Sequence, residues 1–180
     1  MRGEWCYFKQ YLSKQQCEDI IATALTIEPQ QAVLGVRGTE QDVNLDYRRS
    51  QVRFISASDW RFKDLFDILW KTAIQANRDF FDIHISKLDY IQFAEYDESY
   101  RGEYKEHHDV FWLNDDPIYH RKLSAVIQLT DPAEYTGCDL EIVEASNMPP
   151  ANEIREQGSI IYFPSMFRHR ATPIIRGRRY

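Results

Sequence analysis

The chain has 180 residues, of which 43% are hydrophobic and 14% aromatic, and its formal net charge is −6. This length predicts one domain with a sizeable buried core, and the composition excludes a disordered chain. The negative charge argues against non-specific nucleic-acid binding, which depends on Lys and Arg meeting phosphates. No apolar run approaches the length of a membrane span, no signal segment is visible, and the three cysteines are widely scattered. We therefore expect a cytoplasmic protein with no nucleic-acid or membrane partner.

Two helices and several short strands are predicted in the first half of the chain. Ser13, followed three residues later by Gln16, forms a capping-box pattern, and Ser58 or Asp59 precedes an apolar stripe of helical spacing. The predicted elements are a strand at 5–11, a helix at 13–27, a strand at 30–37, a polar loop at 38–47, a strand at 51–55 and a helix at 58–80.

The second half of the chain changes to short strands separated by turns. The predicted strands are 88–96, 104–110, 123–129, 140–143, 159–163 and 169–172. Two helices followed by many short strands predict an α+β fold dominated by a sandwich or barrel. We expect a single domain over residues 1–180, with helical support in about 1–86 and a jelly-roll core in about 87–180. A jelly roll would bring strands from distant parts of the chain together.

A His-x-Asp triplet with a distant histidine is the main candidate for chemistry. On a strand, His107 and Asp109 would point to one face and His108 to the other, so a metal ion held by the first two needs another ligand. His169 lies 62 residues beyond His107 and follows an apolar strand. Two imidazoles and one carboxylate leave open metal positions, as in non-haem Fe(II) oxygenases. The alternative is a surface histidine paired with Glu106.

Arg179, ten residues beyond His169, suggests a co-substrate. Iron with three protein ligands needs a source of electrons to activate O2, and a 2-oxo acid can chelate the metal through its keto acid end. The far carboxylate of such a molecule needs a buried cation, for which a bidentate arginine is suited. Arg178 would point to the opposite face of the same strand. A simple basic tail is the alternative interpretation.

Several segments resemble, in order, the motifs of the 2-oxoglutarate- and Fe(II)-dependent dioxygenases, and most closely those of the prolyl 4-hydroxylase branch. Residues 104–109 (YKEHHD) resemble Y-x-x-H-x-D, and residues 163–179 resemble the distal pattern F-P-S…H-x-V-x-P-V-x-x-G-x-R. Residues 121–130 resemble R-x-x-T-x-x-x-Y-L-N, and residues 134–140 resemble a segment that ends G-G-E-L. Residues 47–50 (YRRS) echo an upstream R-x-S element.

The resemblance implies a double-stranded β-helix, which is a jelly roll, and a role for each matched residue. The iron ligands would be His107, Asp109 and His169, and Arg179 would pair with the C5 carboxylate of 2-oxoglutarate. Related halogenases carry a small residue in place of the metal carboxylate. The presence of Asp109 therefore favours hydroxylation over halogenation.

Five further residues acquire expected roles from their positions in these motifs. Tyr96 and Thr172 lie near positions that contact 2-oxoglutarate, and Gln128 stands where the family often has a tyrosine in the same pocket. Arg121 matches an arginine that contacts the peptide substrate, and Tyr104 matches a tyrosine on the wall of the active site.

The implied reaction is hydroxylation of a prolyl residue in a peptide or protein, with Fe(II), 2-oxoglutarate and O2, and with release of succinate and CO2. Ascorbate would support the reaction as a reductant. One alternative is a hydroxylase of a free amino acid or another small molecule. The other is a jelly-roll module that binds a metal without turnover.

Overall fold

The computed structural model describes residues 3–31, 45–88, 90–110, 121–148 and 150–180. The α-helices within them are α1 (Lys14–Ala24), α2 (Lys63–Ala76) and the short α3 (Ala151–Ile154). The strands are β1 (Cys6–Phe8), β2 (Gln30–Gln31), β3 (Arg48–Arg49), β4 (Gln51–Ile55), β5 (Ile91–Asp97), β6 (Glu103–His107), β7 (Leu123–Ile127), β8 (Tyr135–Gly137), β9 (Leu140–Ile142), β10 (Ile160–Pro164), β11 (His169–Ala171) and β12 (Ile174–Arg179).

Both long helices begin at the polar residues that their sequences predict. The Gln16 backbone N–H donates to Ser13 Oγ at 3.2 Å, and the Ser13 N–H donates to Gln16 Oε1 at 2.9 Å, which completes the capping box. Asp59 rather than Ser58 caps the 3-10 turn that leads into α2, since its carboxylate accepts from the Arg61 N–H. None of the helices in the described part of the chain combines the length and apolar character that crossing a membrane requires.

The strands differ from prediction mainly at their ends. The predicted strand at 51–55 matches β4, whereas only β2 represents the predicted strand at 30–37, since residues 32–44 lie outside the described part of the chain. Most of the predicted loop at 38–47 lies outside it as well. The short strand β8 was missed because Tyr-Thr-Gly contains one apolar side chain and ends in a glycine, so its sequence has no strand-like pattern. β12 was missed because its two isoleucines are adjacent and are followed by one glycine and three arginines, so its sequence shows no alternation of apolar and polar residues.

The described strands pair in three antiparallel sheets. Their orders are β1-β10-β7, β3-β6-β11-β9 and β2-β4-β5-β12-β8. Neighbours within the sheets are often distant in sequence, as for β6 and β11, or β5 and β12. This pairing, rather than any local turn, brings the middle of the chain against its end.

Besides a cluster whose Phe163 ring packs edge-on against the His169 ring with centroids 4.7 Å apart, two apolar clusters position the site. The larger one packs α1 and α2 against the sheets, and it includes Leu69 of α2, Phe93 of β5 and Tyr162 of β10. The smaller one lies around the C-terminal strand and consists of Tyr96, Tyr135, Cys138, Ala171 and Ile174. The helices therefore support one side of the sheets, while the smaller cluster is shared with the candidate site.

Candidate active site

The two candidate metal-binding histidines lie directly opposite each other on neighbouring strands. In the β6–β11 ladder His107 pairs with His169, and their ring centroids are 4.2 Å apart. His107 Nδ1 lies 2.7 Å from the Lys105 carbonyl oxygen, and His169 Nδ1 lies 3.0 Å from the Phe167 carbonyl oxygen. Because a carbonyl oxygen can only accept a hydrogen bond, the ring proton of each neutral imidazole lies on Nδ1. Each Nε2 therefore keeps a lone pair for a metal.

Asp109 faces both of these Nε2 atoms. Its Oδ1 is 3.7 Å from His107 Nε2, and its Oδ2 is 3.5 Å from His169 Nε2. The predicted strand at 104–110 was wrong at this end, because β6 ends at His107 and Asp109 lies beyond it. Its position is set instead by two hydrogen bonds. The Asp109 N–H donates to the Ser165 carbonyl oxygen at 2.9 Å, and Ser124 Oγ donates to Asp109 Oδ2 at 2.6 Å.

The three side chains fit a small divalent metal ion. One donor atom from each of His107, Asp109 and His169 lies within 4.8 Å of the other two. Ligand atoms at about 2.1 Å from a first-row metal ion lie roughly 3.0–3.6 Å apart on one face of it. Burial, assisted by the nearby His169, lowers the pKa of His107 to about 4. The imidazole is then neutral near pH 7, which is the form that binds metals.

A bulge in β6 turns Tyr104 toward the same interior as His107. The β6–β11 register advances by three residues between Tyr104 and His107 but by only two between Ala171 and His169. The extra residue places Tyr104 and His107 on one face, where their rings stack with centroids 3.5 Å apart. The Arg48 guanidinium covers the Tyr104 ring at 4.1 Å. The tyrosine thus forms a wall beside the candidate metal site.

Arg179 is a buried cation without a described counter-ion. The residue is 5% exposed and forms no ion pair with a carboxylate among the described residues. Its Nε and Nη2 donate to Gln128 Oε1 at 3.2 Å and 2.9 Å, and its Nη1 donates to Cys138 Sγ at 3.4 Å. These bonds use three of the five N–H groups of the guanidinium. A buried, unpaired arginine is costly, so the arrangement fits an anionic ligand.

Tyr96 lies beside Arg179 and close enough to Asp109 for both charges to act on its phenol. It pairs with Arg179 across β5 and β12, and its ring centroid is 5.8 Å from the guanidinium carbon. Burial raises the pKa of the Tyr96 phenol, and the charges of Arg179 and Asp109 also act on it. The phenol is therefore protonated near pH 7, and it can donate a hydrogen bond to an anion bound beside Arg179.

The three remaining candidates differ in what they contact. Gln128 accepts hydrogen bonds from Arg179. The Thr172 hydroxyl accepts from the Asp139 N–H at 2.8 Å, so it ties a turn together, and its expected contact with 2-oxoglutarate stays a prediction. Arg121 donates to the Tyr90 hydroxyl and lies over that ring at 5.0 Å.

Ser124 and Arg48 are among the residues that contact the site but were not sequence-based candidates. Ser124 holds the Asp109 carboxylate, and Arg48 covers Tyr104. Each occurs in a segment that resembles a family motif, at residues 121–130 and 47–50, so a signal for both was present in the sequence. The side-chain contacts themselves depend on strand pairing and were not visible there.

Replacing Ser124 by alanine should weaken metal binding without unfolding the protein. Loss of the Ser124 hydrogen bond frees the Asp109 carboxylate to rotate, and partners of metal ligands typically contribute about 10–100-fold to metal affinity. We expect a rise of that size in the Kd for Fe(II), measured by anaerobic titration. Ser58→Ala, which removes an exposed hydroxyl remote from the site, should leave the Kd unchanged. An unaltered Kd in Ser124→Ala would exclude this role.

Sequence comparison decides the family. The profile described as the 2OG-Fe(II) oxygenase superfamily matches residues 91–180. The chain belongs to this superfamily. This 2OG-Fe(II) oxygenase therefore uses Fe(II), 2-oxoglutarate and O2, in agreement with the prediction. No sequence among the curated proteins matches it significantly.

Solved structures confirm the fold of this oxygenase. A prolyl-4-hydroxylase from Pseudomonas putida superposes with a TM-score of 0.70 at 17% identity, covering 98% of this chain and 88% of that one. A viral collagen prolyl hydroxylase from Paramecium bursaria Chlorella virus-1, solved as a 2OG complex, gives 0.69 at 17% identity, covering 98% and 91%. A prolyl hydroxylase from Trichoplax adhaerens, bound to a peptide fragment of hypoxia inducible factor, gives 0.73 at 16% identity, covering 99% and 80%. The predicted double-stranded β-helix is thus confirmed.

Proposed function

We propose that this oxygenase hydroxylates a prolyl residue in a peptide or protein, with Fe(II) held by His107, Asp109 and His169. The observation that carries the proposal is the combination of these three converging donors with the uncompensated charge of Arg179. One group fits a metal and the other fits the distal carboxylate of 2-oxoglutarate. Neither a surface histidine nor a basic tail accounts for the burial of both.

Different residues of the chain orient the metal ligands and the co-substrate. The chemistry that the bound metal and co-substrate supply is the activation of O2 and the insertion of one oxygen atom into a C–H bond, with release of succinate and CO2. Ser124 keeps the Asp109 carboxylate oriented, and the stacked Tyr104 ring limits rotation of His107. Arg179 orients the co-substrate, and the buried surroundings exclude water from its distal end.

Phe54, Tyr90 and Arg121 form a surface suited to a peptide. Phe54 is 41% exposed, and its ring packs edge-on against Tyr90 with centroids 5.4 Å apart. The Arg121 guanidinium lies over the Tyr90 ring. Flat aromatic and guanidinium groups of this kind contact proline rings and peptide bonds. The three prolyl hydroxylases of similar fold, one of them with a bound peptide, support the same substrate class.

A free amino acid or another small carboxylate is the second candidate substrate, and Arg48 favours it. This arginine is 5% exposed, and its Nε and Nη2 donate to Ser50 and Gln92. No carboxylate in the described part of the chain pairs with it. Because Arg48 covers Tyr104, which stacks on His107, a substrate carboxylate bound there would lie close to the metal site.

Product analysis tests the proposal and separates the two substrates. The protein is incubated with Fe(II), ascorbate, 2-oxoglutarate and either proline-containing peptides or free amino acids, and succinate is quantified. We expect succinate to rise with peptides, and mass spectrometry to find one added oxygen atom on a prolyl residue. Oxygen added only to a free amino acid would favour the second candidate. Absence of succinate with every substrate, while Fe(II) is bound, would leave a metal-binding module without turnover.

A further inference from the structure

Tyr135 carries a buried hydroxyl that bonds neither to the candidate metal ligands nor to Arg179. Tyr135 is 2% exposed, and its hydroxyl oxygen has no hydrogen-bond partner among the described residues. Leaving a buried hydroxyl without a partner costs free energy, and such groups are rare in folded proteins. A ligand that accepts a hydrogen bond at this position would remove the cost.

Strand pairing and side-chain packing place Tyr135 close to Arg179. Tyr135 of β8 lies opposite Gly177 of β12, and directly opposed residues of an antiparallel pair share a face. Arg179 reaches the same neighbourhood, because it contacts Cys138, which packs with Tyr135 and Tyr96 in one buried cluster. Tyr96 is also the partner of Arg179 across β5 and β12. Gly177 contributes no side chain to the gap between Tyr135 and Arg179.

Gly177 allows β12 to approach β8 closely at Tyr135. Gly177 has φ +80°, and a Cβ there would lie 2.1 Å from the Glu134 carbonyl oxygen. The close approach of the two strands therefore requires a residue without a side chain. As a result, the Tyr135 ring adjoins the Arg179 end of the site, within the cluster that also holds Tyr96 and Cys138.

The pKa of Arg179 also indicates that Tyr135 lies close to it. Burial by itself lowers the pKa of Arg179, while the adjacent Cys138 and Tyr135 side chains act on that pKa in the opposite direction. Gln128 presents its carbonyl oxygen to Arg179, so that atom is an acceptor already in use. A carboxylate bound to Arg179 has about four lone-pair sites, more than the two remaining guanidinium N–H groups can fill.

We propose that the Tyr135 hydroxyl donates a hydrogen bond to the distal carboxylate of 2-oxoglutarate and so helps to select a dicarboxylic 2-oxo acid. This inference rests on the proposed role of Arg179 and adds a second, neutral donor to it. The two groups act on the same carboxylate, Arg179 through its charge and Tyr135 through the direction of its O–H bond.

Equilibrium binding to the Tyr135→Phe variant tests this role. The change keeps the ring and removes only the oxygen atom. Titration calorimetry of the Mn(II)-loaded protein with 2-oxoglutarate, without O2 or substrate, should give a Kd about tenfold higher than that of the wild type. The Kd for Mn(II) should be unchanged. So should the Kd for 2-oxopentanoate, which has the same chain length but no distal carboxylate.

Two further measurements separate this role from a purely structural one. Without ligand, Tyr135→Phe should melt at the same temperature as the wild type or higher, because no hydrogen bond is lost. Tyr162→Phe is the matched control, since that buried phenol already contacts Thr72 at 2.8 Å in the helical part of the core. It should lower the melting temperature and leave 2-oxoglutarate binding unchanged.

The outcomes distinguish this inference from the proposed function. Equal 2-oxoglutarate affinity in Tyr135→Phe and the wild type would overturn the role of Tyr135 alone. An equal loss of affinity for 2-oxoglutarate and 2-oxopentanoate, or a lower melting temperature without ligand, would do so too. If the wild type itself binds no 2-oxoglutarate, the proposed function fails and the inference fails with it.

Discussion

Replacement of His169 by alanine should abolish Fe(II) binding and turnover. His169 Nε2 is one of only two imidazole donors in the candidate triad, and its loss leaves His107 and Asp109 as a two-ligand site. Losing a residue that only hydrogen-bonds to a metal ligand already costs about 10–100-fold in metal affinity, so loss of the ligand itself should raise the Kd for Fe(II) about 1,000-fold or more. Anaerobic Fe(II) titration gives the affinity, and succinate formation gives the activity. His107→Ala should behave in the same way.

His108→Ala is the matched control for this experiment. His108 adjoins His107 in the sequence but is exposed, whereas His169 is buried. Its replacement should leave both the Fe(II) affinity and the rate of succinate formation near wild-type values. Wild-type turnover in His169→Ala or His107→Ala would refute the ligand assignment. A loss of iron in His108→Ala would move the site to the other face of the strand.

Replacement of Arg179 by methionine should remove 2-oxoglutarate binding while Fe(II) still binds. Methionine keeps much of the buried volume but has no charge or N–H groups. Removing one partner of a buried ion pair costs about 3–5 kcal/mol, so the Kd for 2-oxoglutarate should rise roughly 100-fold or more. Calorimetry with the Mn(II)-loaded protein measures this directly. The Kd for Fe(II) should change little, because no candidate metal ligand contacts Arg179.

Arg178→Met is the control, since it changes the neighbouring arginine on the opposite face of β12. Arg178 donates to Asp97 Oδ2 at 2.5 Å, at the partly exposed outer side of the sheet. Its loss should lower stability slightly and leave the affinity for 2-oxoglutarate intact. If Arg179→Met binds 2-oxoglutarate as the wild type does, while Arg178→Met does not, the carboxylate partner is Arg178.

Much of the fold was predictable because its strands carry local signals. Residues 51–54 alternate between polar and apolar side chains, and Ser13 and Asp59 are polar residues at helix starts, so these elements were expected where they occur. The bulge at Tyr104 and the end of β6 at His107 were not expected. Both depend on the register with β11, which lies about 60 residues away, and no local pattern encodes that register.

The candidate site was predictable to a similar extent and for a related reason. His107, Asp109, His169 and Arg179 have spacings that match a family pattern. The alternation argument for Asp109 was nevertheless wrong in its mechanism, since bonds from Ser124 and to Ser165 orient this residue. Tyr135 gave no signal at all, because an unpartnered hydroxyl becomes evident only when every neighbouring contact is known. The roles of Thr172 and Arg121, the single-domain organisation and the cytoplasmic location stay predictions.

The uncompensated charge of Arg179 also bears on the lifetime of the protein. A ligand that binds only the folded chain stabilises it by an amount that grows with the ratio of its concentration to its Kd. An anion that neutralises this buried cation removes an electrostatic cost of the ligand-free state. Proteolysis in cells follows the unfolded fraction, so the supply of 2-oxoglutarate would govern how long each molecule persists as well as how fast it works.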